Sequence, residues 1–143
     1  MPAPVAGYSG TPLPKKLGLK EHGKMVLLNA PVGIEQFMLP LPADSSIMYR
    51  PGKVNDLIVL FCSDMAALKK SLPAASRKLH ADGSLWISWP KKTSTLFVDL
   101  TEDGIRAVAL PTGLVDVKVC AVNADWSGLK LMVRKEQRER WNQ

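Results

Sequence analysis

The sequence predicts a three-layer α/β domain in which a mostly parallel sheet lies between helices and ends in an antiparallel hairpin. Two apolar runs without alternation, residues 24–29 and 55–62, are typical of parallel strands buried on both faces. Amphipathic helical patterns separate the later strands, which indicates strand–helix–strand crossovers. The last two predicted strands, 114–122 and 126–134, are joined by only three residues, so they must be antiparallel neighbours.

The length and composition favour a single domain over residues 1–143, with a lead-in segment at 1–23 and a charged tail at 135–143. No run of about 18 apolar residues exists, and the N-terminus lacks a basic segment followed by an apolar one. We therefore expect no membrane span and no secretory signal. Cys62 and Cys120 lie in apolar runs and fit reduced thiols, which favours a cytoplasmic location.

The net charge of +6 favours anionic partners such as nucleotides, nucleic acid or acidic proteins. A solvated basic surface without any such partner explains the same charge balance. The basic residues are spread along the chain, and no motif that reads a nucleic-acid groove is visible. Nucleic-acid binding is therefore kept as an alternative only.

The N-terminal part predicts short elements interrupted by prolines and glycines. Residues 1–9 are small and proline-containing, and we expect them to be loose. Thr11 can cap a short helical turn, and Pro12 suits the first helical position. The elements that follow are a strand at 24–29, a short helix at 34–39 stopped by Pro40 and Pro42, and a short strand at 46–49.

The longest helical pattern runs from Ser63 to about Leu79, with its apolar residues on one face. Ser63 suits the N-cap, and Pro73 is expected to kink or split the helix. Asp82-Gly83 then ends the helix and opens a strand at 84–89.

The C-terminal part predicts one more helix and the closing hairpin. Thr101 caps this helix, and Glu102 and Asp103 lie at the positive end of its dipole. The alternating residues of the hairpin are Val115, Val117, Val119 and Ala121 in the first strand and Leu129, Leu131 and Val133 in the second. The tail that follows is charged, and we expect it to be mostly solvated.

Two short sequence motifs are distinctive enough to indicate a family. They are Ser-Trp-Pro-Lys-Lys at 88–92 and Trp-Ser-Gly-Leu-Lys at 126–130, and they occur together with segments at 8–13, 27–31 and 113–122. Together they resemble a family of small bacterial proteins of unknown function. That resemblance covers nearly the whole chain and implies a small bacterial cytosolic protein. Because the family has no established activity, the resemblance implies none for this chain. The order of elements from residue 56 onward is also similar to the C-terminal half of Rossmann-like methyltransferases, which implies a fold and not a chemistry.

Ligands of open parallel sheets bind outside the carboxyl ends of the strands. We use the name carboxyl edge for the segments at these ends, which are 29–33, 62–64, 89–92 and 123–127. The last segment belongs to it because the hairpin turn follows the end of a parallel strand. The candidate ligand-binding residues on this edge are Asn29, Gly33, Ser63, Trp89, Lys91, Lys92 and Trp126.

The C-terminal candidates each have two interpretations. Lys91 and Lys92 can hold a phosphate or carboxylate as cationic hydrogen-bond donors, or they can solubilise the end of a loop. Trp89 can stack on a base or pack against the helix layer. Trp126 can line the same edge, although packing is the more common role for an aromatic residue at the start of a hairpin strand.

The N-terminal candidates are equally ambiguous. Ser63 can donate to an anion with the helix N-terminus behind it, or it can act as a cap alone. Asn29 and Gly33 can allow close approach of a ligand to the backbone, or they can simply form a turn.

An S-adenosylmethionine or dinucleotide site needs a glycine-rich turn after the first strand and usually an acidic residue at the end of the second. Segment 29–33 contains one glycine and a proline, and the second strand ends in Tyr49-Arg50. The two cysteines lack the spacing of a zinc site, and no nucleophile–histidine arrangement can be argued. We therefore predict binding of an anionic small molecule or acidic partner without a catalytic residue, metal or cofactor. The alternatives are an S-adenosylmethionine-dependent methyltransferase and a nucleic-acid or protein-interaction module, including a homodimer.

Overall fold

The structure, a computed structural model, describes residues 10–141. The loose segment predicted at 1–9 and the last two residues of the predicted tail lie outside this range. Six strands form one sheet in the order β2-β1-β3-β4-β6-β5. The strands are β1 (Lys24–Leu28), β2 (Ser46–Met48), β3 (Asn55–Phe61), β4 (Leu79–Pro90), β5 (Leu114–Ala121) and β6 (Trp126–Val133).

The pairing confirms the predicted fold class. Strands β2, β1, β3 and β4 are parallel to one another, whereas β6 is antiparallel to both β4 and β5. The crossovers between parallel strands need the intervening helices, and the tight turn between β5 and β6 can only join antiparallel strands. The carboxyl ends of β1 to β5 and the beginning of β6 consequently lie at one edge of the sheet.

Helices cover both faces of the sheet and bury two separate cores. On one face, α2 (Met65–Arg77) and α3 (Glu102–Ala109) pack against apolar side chains of β3, β4 and β6. On the other face, α1 (Leu13–Leu17) and a 3₁₀ turn (Ile34–Phe37) pack against β1, β3 and β4. Within residues 10–141, no helix has the length and apolar content needed to cross a membrane.

The N-terminus of α2 differs from the prediction. The N-cap is Asp64, whose carboxylate accepts a hydrogen bond from the Ala67 amide at 2.8 Å, whereas Ser63 is exposed and lies outside the helix. Both residue types cap helices well, so the sequence could not decide between neighbours. Pro73 is exposed and does not split α2, which continues to Arg77.

Strand β4 begins at Leu79, five residues earlier than the predicted start at 84. Leu79 already pairs with Asn55, and the register then shifts so that Leu57 pairs with Ser84. The extra residues bulge out of the ladder, and Gly83 lies within the bulge. A Cβ at Gly83 would lie 2.8 Å from the Asp56 carbonyl oxygen, so only glycine fits there.

Both ends of the described range, 10–141, differ in detail from the prediction. Thr11 does not cap α1, which has Pro12 at its N-cap and no side-chain cap. The tail forms a 3₁₀ turn at Lys135–Arg140, and the Trp141 indole then donates to the Leu79 carbonyl at 3.0 Å. Most of the described tail is exposed, as predicted, but Trp141 is half-buried against the α2–α3 core.

Strand β5 forms an exposed edge of the sheet. The register between β5 and β6 shifts between Asp116 and Lys118, so that Val117 falls in a bulge. Val117 and Val119 are half-exposed, with exposed fractions of 50% and 46%, although alternation alone suggests a buried face. The predicted apolar face of β6 is confirmed, because Leu129, Leu131 and Val133 are fully buried in the α2–α3 core.

Candidate functional site

The four segments of the carboxyl edge lie along the same edge of the sheet, as the strand order requires. Pro90 at the end of β4 pairs with Trp126 at the start of β6. The backbone amide of Lys91 donates to the Asp125 carbonyl at 2.8 Å, which fixes the exit of β4 against the hairpin turn. Asn29 and Cys62 directly follow β1 and β3 at the same edge.

The two tryptophans of the carboxyl edge lie on opposite faces of the sheet. Trp89 packs in the α2–α3 core, whereas Trp126 packs on the α1 side in an edge-to-face contact with Phe61, with 5.4 Å between ring centroids. Each tryptophan is only 7% exposed. Packing is therefore their main role, and they cannot clamp one ligand between them.

A cavity of about 350 Å³ opens at the end of β4, between the strand exit and the start of α3. Its lining residues are Trp89, Lys91, Lys92, Thr101, Glu102, Asp103 and Ser127. The loop that carries the lysines is fixed by Ser94, whose amide donates to the Lys91 carbonyl and whose hydroxyl donates to the Asp125 carboxylate at 2.8 Å. Three of the seven sequence candidates, Trp89, Lys91 and Lys92, thus share one cavity.

The cavity has both positive and negative walls. Glu102 and Asp103 each form an ion pair with Arg106, which also binds Asp116 of β5 at 2.9 Å. The hydrogen bond from Arg106 holds the pKa of Asp116 below its ordinary value. The carboxylates of the cavity are thereby partly neutralised. Among residues 10–141, in contrast, no ion pair involves either Lys91 or Lys92.

The N-terminus of α2 is occupied by the protein's own carboxylates. Asp64 binds the Ala67 amide, and Asp99 accepts from the Met65 amide at 2.9 Å. An anion approaching this helix terminus would meet two negative charges instead of free N–H groups. Ser63 therefore lacks the helix terminus on which its predicted anion-binding role depended.

The thiol of Cys62, beside Ser63, is expected to be unreactive. Cys62 is fully buried, and burial, followed by the charge of Asp64, raises its pKa to about 12. A neutral buried thiol is a poor nucleophile. Within the described chain, no three side chains among His, Cys, Asp and Glu lie close enough together to hold a metal ion.

The turn after β1 has the backbone of a tight loop. Asn29 and Gly33 have positive φ angles of 57° and 84°, and Asn29 donates a weak hydrogen bond of 3.4 Å to the Ser71 hydroxyl. Val32, between them, is fully exposed. These two candidates lie on the carboxyl edge but do not line the cavity beside Lys91.

Sequence reasoning missed the contact between Glu35 and Tyr49. The 3₁₀ turn after β1 brings Glu35 against Tyr49, the residue that follows β2. Burial, followed by the charge and hydrogen bond of Glu35, raises the pKa of the Tyr49 phenol. Nothing in the sequence links these residues, because only the parallel pairing of β1 and β2 places the two loops side by side.

The model of one protein family, described as "Protein of unknown function (DUF3052)", matches residues 50–135. The match extends from just before β3 to the start of the 3₁₀ turn in the tail. It agrees with the resemblance that the sequence strings indicated. Among curated proteins, none matches this sequence.

Solved structures share the fold at low sequence identity. A SAM dependent methyltransferase from Aquifex aeolicus is 14% identical with a TM-score of 0.59, over 83% of this chain and 86% of that one. An S-adenosylmethionine-dependent methyltransferase from Clostridium acetobutylicum is 8% identical with a TM-score of 0.53, over the same shares of the two chains. The predicted methyltransferase-like layout is confirmed, and at these identities the likeness concerns the fold alone.

Proposed function

The chain belongs to the DUF3052 family of proteins of unknown function, and we propose that it binds a small anionic ligand without catalysing a reaction on it. The observation that carries the proposal is the cavity at the end of β4, where Lys91 and Lys92 meet the side chain of Trp89. Its position agrees with the general rule that ligands of α/β sheets bind at the carboxyl ends of strands.

The cations of this cavity are suited to an anion. Lys91 and Lys92 form no ion pair within residues 10–141, so their ammonium groups can turn toward a ligand. The backbone on either side of Lys91 is fixed by hydrogen bonds to Asp125 and from Ser94, which lowers the entropy lost on binding. A volume of about 350 Å³ is at the small end of ligand pockets.

The acidic wall of the cavity restricts the kind of anion. Glu102 and Asp103 would repel a ligand of high negative charge, even though Arg106 screens them. They can instead accept hydrogen bonds from a donor group on the ligand. We therefore favour a small molecule that carries one anionic group for the lysines and a hydroxyl or amino group for the carboxylates.

Binding without catalysis is supported by how the polar groups are already used. The carboxylates that could act as a general base are held by Arg106. The α2 N-terminus, which could stabilise a developing negative charge, is capped by Asp64 and Asp99.

The test is a calorimetric titration of the protein with inorganic phosphate, small hydroxy and amino carboxylates, and nucleotides. The double variant Lys91→Ala with Lys92→Ala is expected to lose binding of whichever anion the natural protein holds. The matched control is Lys69→Ala with Lys70→Ala, which removes another adjacent lysine pair from the exposed surface of α2. Equal binding by the two double variants would show that the cavity is not the site.

A second candidate function is favoured by Glu35 and Tyr49. A carboxylate at the end of the second strand is the group that usually binds ribose hydroxyls in dinucleotide sites, and Glu35, from the turn after β1, contacts the side chain of Tyr49, which follows β2. The half-exposed ring of Tyr49 can stack on a base. In this alternative the chain binds S-adenosylmethionine or another nucleoside. The two solved structures described above are named as S-adenosylmethionine-dependent methyltransferases.

The same titration separates the two candidates. Saturable binding of S-adenosylmethionine that disappears in Glu35→Gln and persists in the Lys91/Lys92 double variant would replace the first proposal with the second. Binding of a small anion that depends on the lysine pair and is unchanged in Glu35→Gln supports the first.

A further inference from the structure

Two lysines face each other in the closing hairpin. Lys118 of β5 pairs directly with Lys130 of β6, on the face of the sheet that carries α1. Directly opposed residues of an antiparallel pair have Cβ atoms about 5 Å apart, and like charges there destabilise the sheet. Within residues 10–141, neither lysine has an ion-pair partner to offset this repulsion.

A third lysine approaches from the helix above. Lys16 lies in the last turn of α1, and its charge acts together with that of Lys118 on the half-buried thiol of Cys120. Burial raises the pKa of this thiol, and the two lysines lower it in part. Lys16 and Lys118 therefore lie near Cys120, and Lys130 lies opposite Lys118; these three residues are here called the lysine triad.

Lys118 is exposed, but Lys130 is only partly solvated. Lys130 is half-buried beside the fully buried ring of Trp86, its pairing partner on β4. Burial, followed by the charge of Lys118, lowers the pKa of Lys130. A cation in this setting gains more from a bound anion than an exposed lysine does, because water screens the interaction less.

We propose that the lysine triad binds a phosphate-type oxyanion, at a site on the opposite face of the sheet from the cavity beside Lys91. The opposed ammonium groups of Lys118 and Lys130 supply the hydrogen-bond donors, and the charge of Lys16 on α1 adds to the positive potential there, which suits the acceptor oxygens of such a group. The site is independent of the proposed function, because Glu102 and Asp103 of that cavity belong to α3 on the other face.

Cys120 provides a built-in reporter of occupancy. Cys62 is fully buried, so a thiol reagent should react first at Cys120 in the folded protein. Inorganic phosphate and pyrophosphate are expected to slow this reaction in a saturable way. Potassium chloride at the same ionic strength gives the baseline for general screening. Slowing by chloride and phosphate to the same extent would overturn the proposal.

The variant Lys118→Glu separates binding from folding. It converts the like-charge pair with Lys130 into an opposite-charge pair, so the protein should stay folded and its Tm should not fall. Its affinity for phosphate, measured as protection of Cys120, should drop by about tenfold or more. The control is the Lys91/Lys92 double variant, which should keep full protection. Undiminished protection in Lys118→Glu would rule out the triad as the site.

A further set of measurements shows which kind of phosphate compound binds. Protection by phosphate, pyrophosphate or small phosphate esters supports a discrete oxyanion site. A short single-stranded oligonucleotide tests phosphodiesters at the same triad, and its protection should compete with that by pyrophosphate. Protection by the oligonucleotide alone, without any effect of pyrophosphate, would contradict a site built for one phosphate group.

Discussion

The indole nitrogen of Trp86 donates a hydrogen bond to the backbone carbonyl of Leu17 at 2.8 Å, across 69 residues of sequence. Trp86 is fully buried at the centre of β4, and Leu17 is the last residue of α1. A helix as short as α1 is not stable alone in water, so its position depends on tertiary contacts. This bond anchors the helix that carries Lys16 to the middle of the sheet.

Trp86→Phe is therefore expected to destabilise the protein. The substitution leaves the Leu17 carbonyl unpaired in the interior, at a cost of about 1 to 3 kcal/mol. Urea unfolding measures the difference. Trp141→Phe is the matched control, because it removes an indole bond to the Leu79 carbonyl at a half-buried position that water can reach. Equal losses in the two variants would mean that burial of the bond does not matter.

The ion pair between Arg106 and Asp116 predicts how stability depends on acid. The pKa of Asp116 is lowered in the folded protein, chiefly by the Arg106 hydrogen bond. As the pH falls, Asp116 becomes protonated near its ordinary pKa of 3.8 in the unfolded chain, and only at a lower pH in the folded protein. The stabilisation by Asp116 is therefore present above that pH and is lost as the pH falls through the folded pKa.

Asp116→Asn tests this pH dependence. The variant should have a lower Tm than the natural protein at pH 7, and the difference should shrink as the pH falls below about 4. Thermal unfolding at a series of pH values gives the comparison. A Tm difference that stays constant down to about pH 2 would show that the carboxylate charge is not what stabilises this contact.

The acidic wall of the cavity predicts a gain in affinity for simple anions. Asp103→Asn removes one negative charge opposite Lys91 and Lys92, so acetate, which has no donor group for the carboxylates, should bind more tightly. The change should be only about two- to threefold, because Asp103 is almost fully exposed and well screened. Asp82→Asn, which changes the net charge equally at the other end of β4, should leave the affinity unaltered. Calorimetry that finds equal gains in both variants would indicate an effect of net charge alone.

Gly83→Ala tests the bulge at the start of β4. The new Cβ would lie 2.8 Å from the Asp56 carbonyl oxygen and 3.0 Å from a methyl group of Leu79. Relieving such contacts should cost about 1 to 3 kcal/mol in thermal unfolding. Gly52→Ala, where the nearest atom is 3.5 Å away, should have little effect. A neutral Gly83→Ala would mean that the backbone there relaxes freely.

The sheet could be predicted from the sequence because its central strands are continuously apolar and its last two are separated by a short turn. The positions of single polar residues could not. Ser63 and Asp64 are adjacent and cap helices equally well, so only the observed bond to Ala67 identifies the cap. Glu35 meets Tyr49 only because β1 and β2 are parallel neighbours.

The pairing of Lys118 with Lys130 depends on a bulge in β5 that has no clear sequence signal. With a regular register, Val117 would lie opposite Lys130, and Lys118 would lie opposite Leu129 on the other face. The shift between Asp116 and Lys118 moves the later part of β5 by one residue and brings the two lysines together. A site that depends on such a slip can be found only in the folded structure.

The exposed position of β5 also bears on whether copies of the chain can associate through the sheet. A long edge strand with outward valines offers unpaired backbone groups and apolar side chains to another chain. Lys118 lies between Val117 and Val119, so two copies that joined there would have to bury or oppose ammonium groups. The lysine proposed to bind an anion would thus also disfavour pairing of two β5 strands, as charged residues on edge strands generally do.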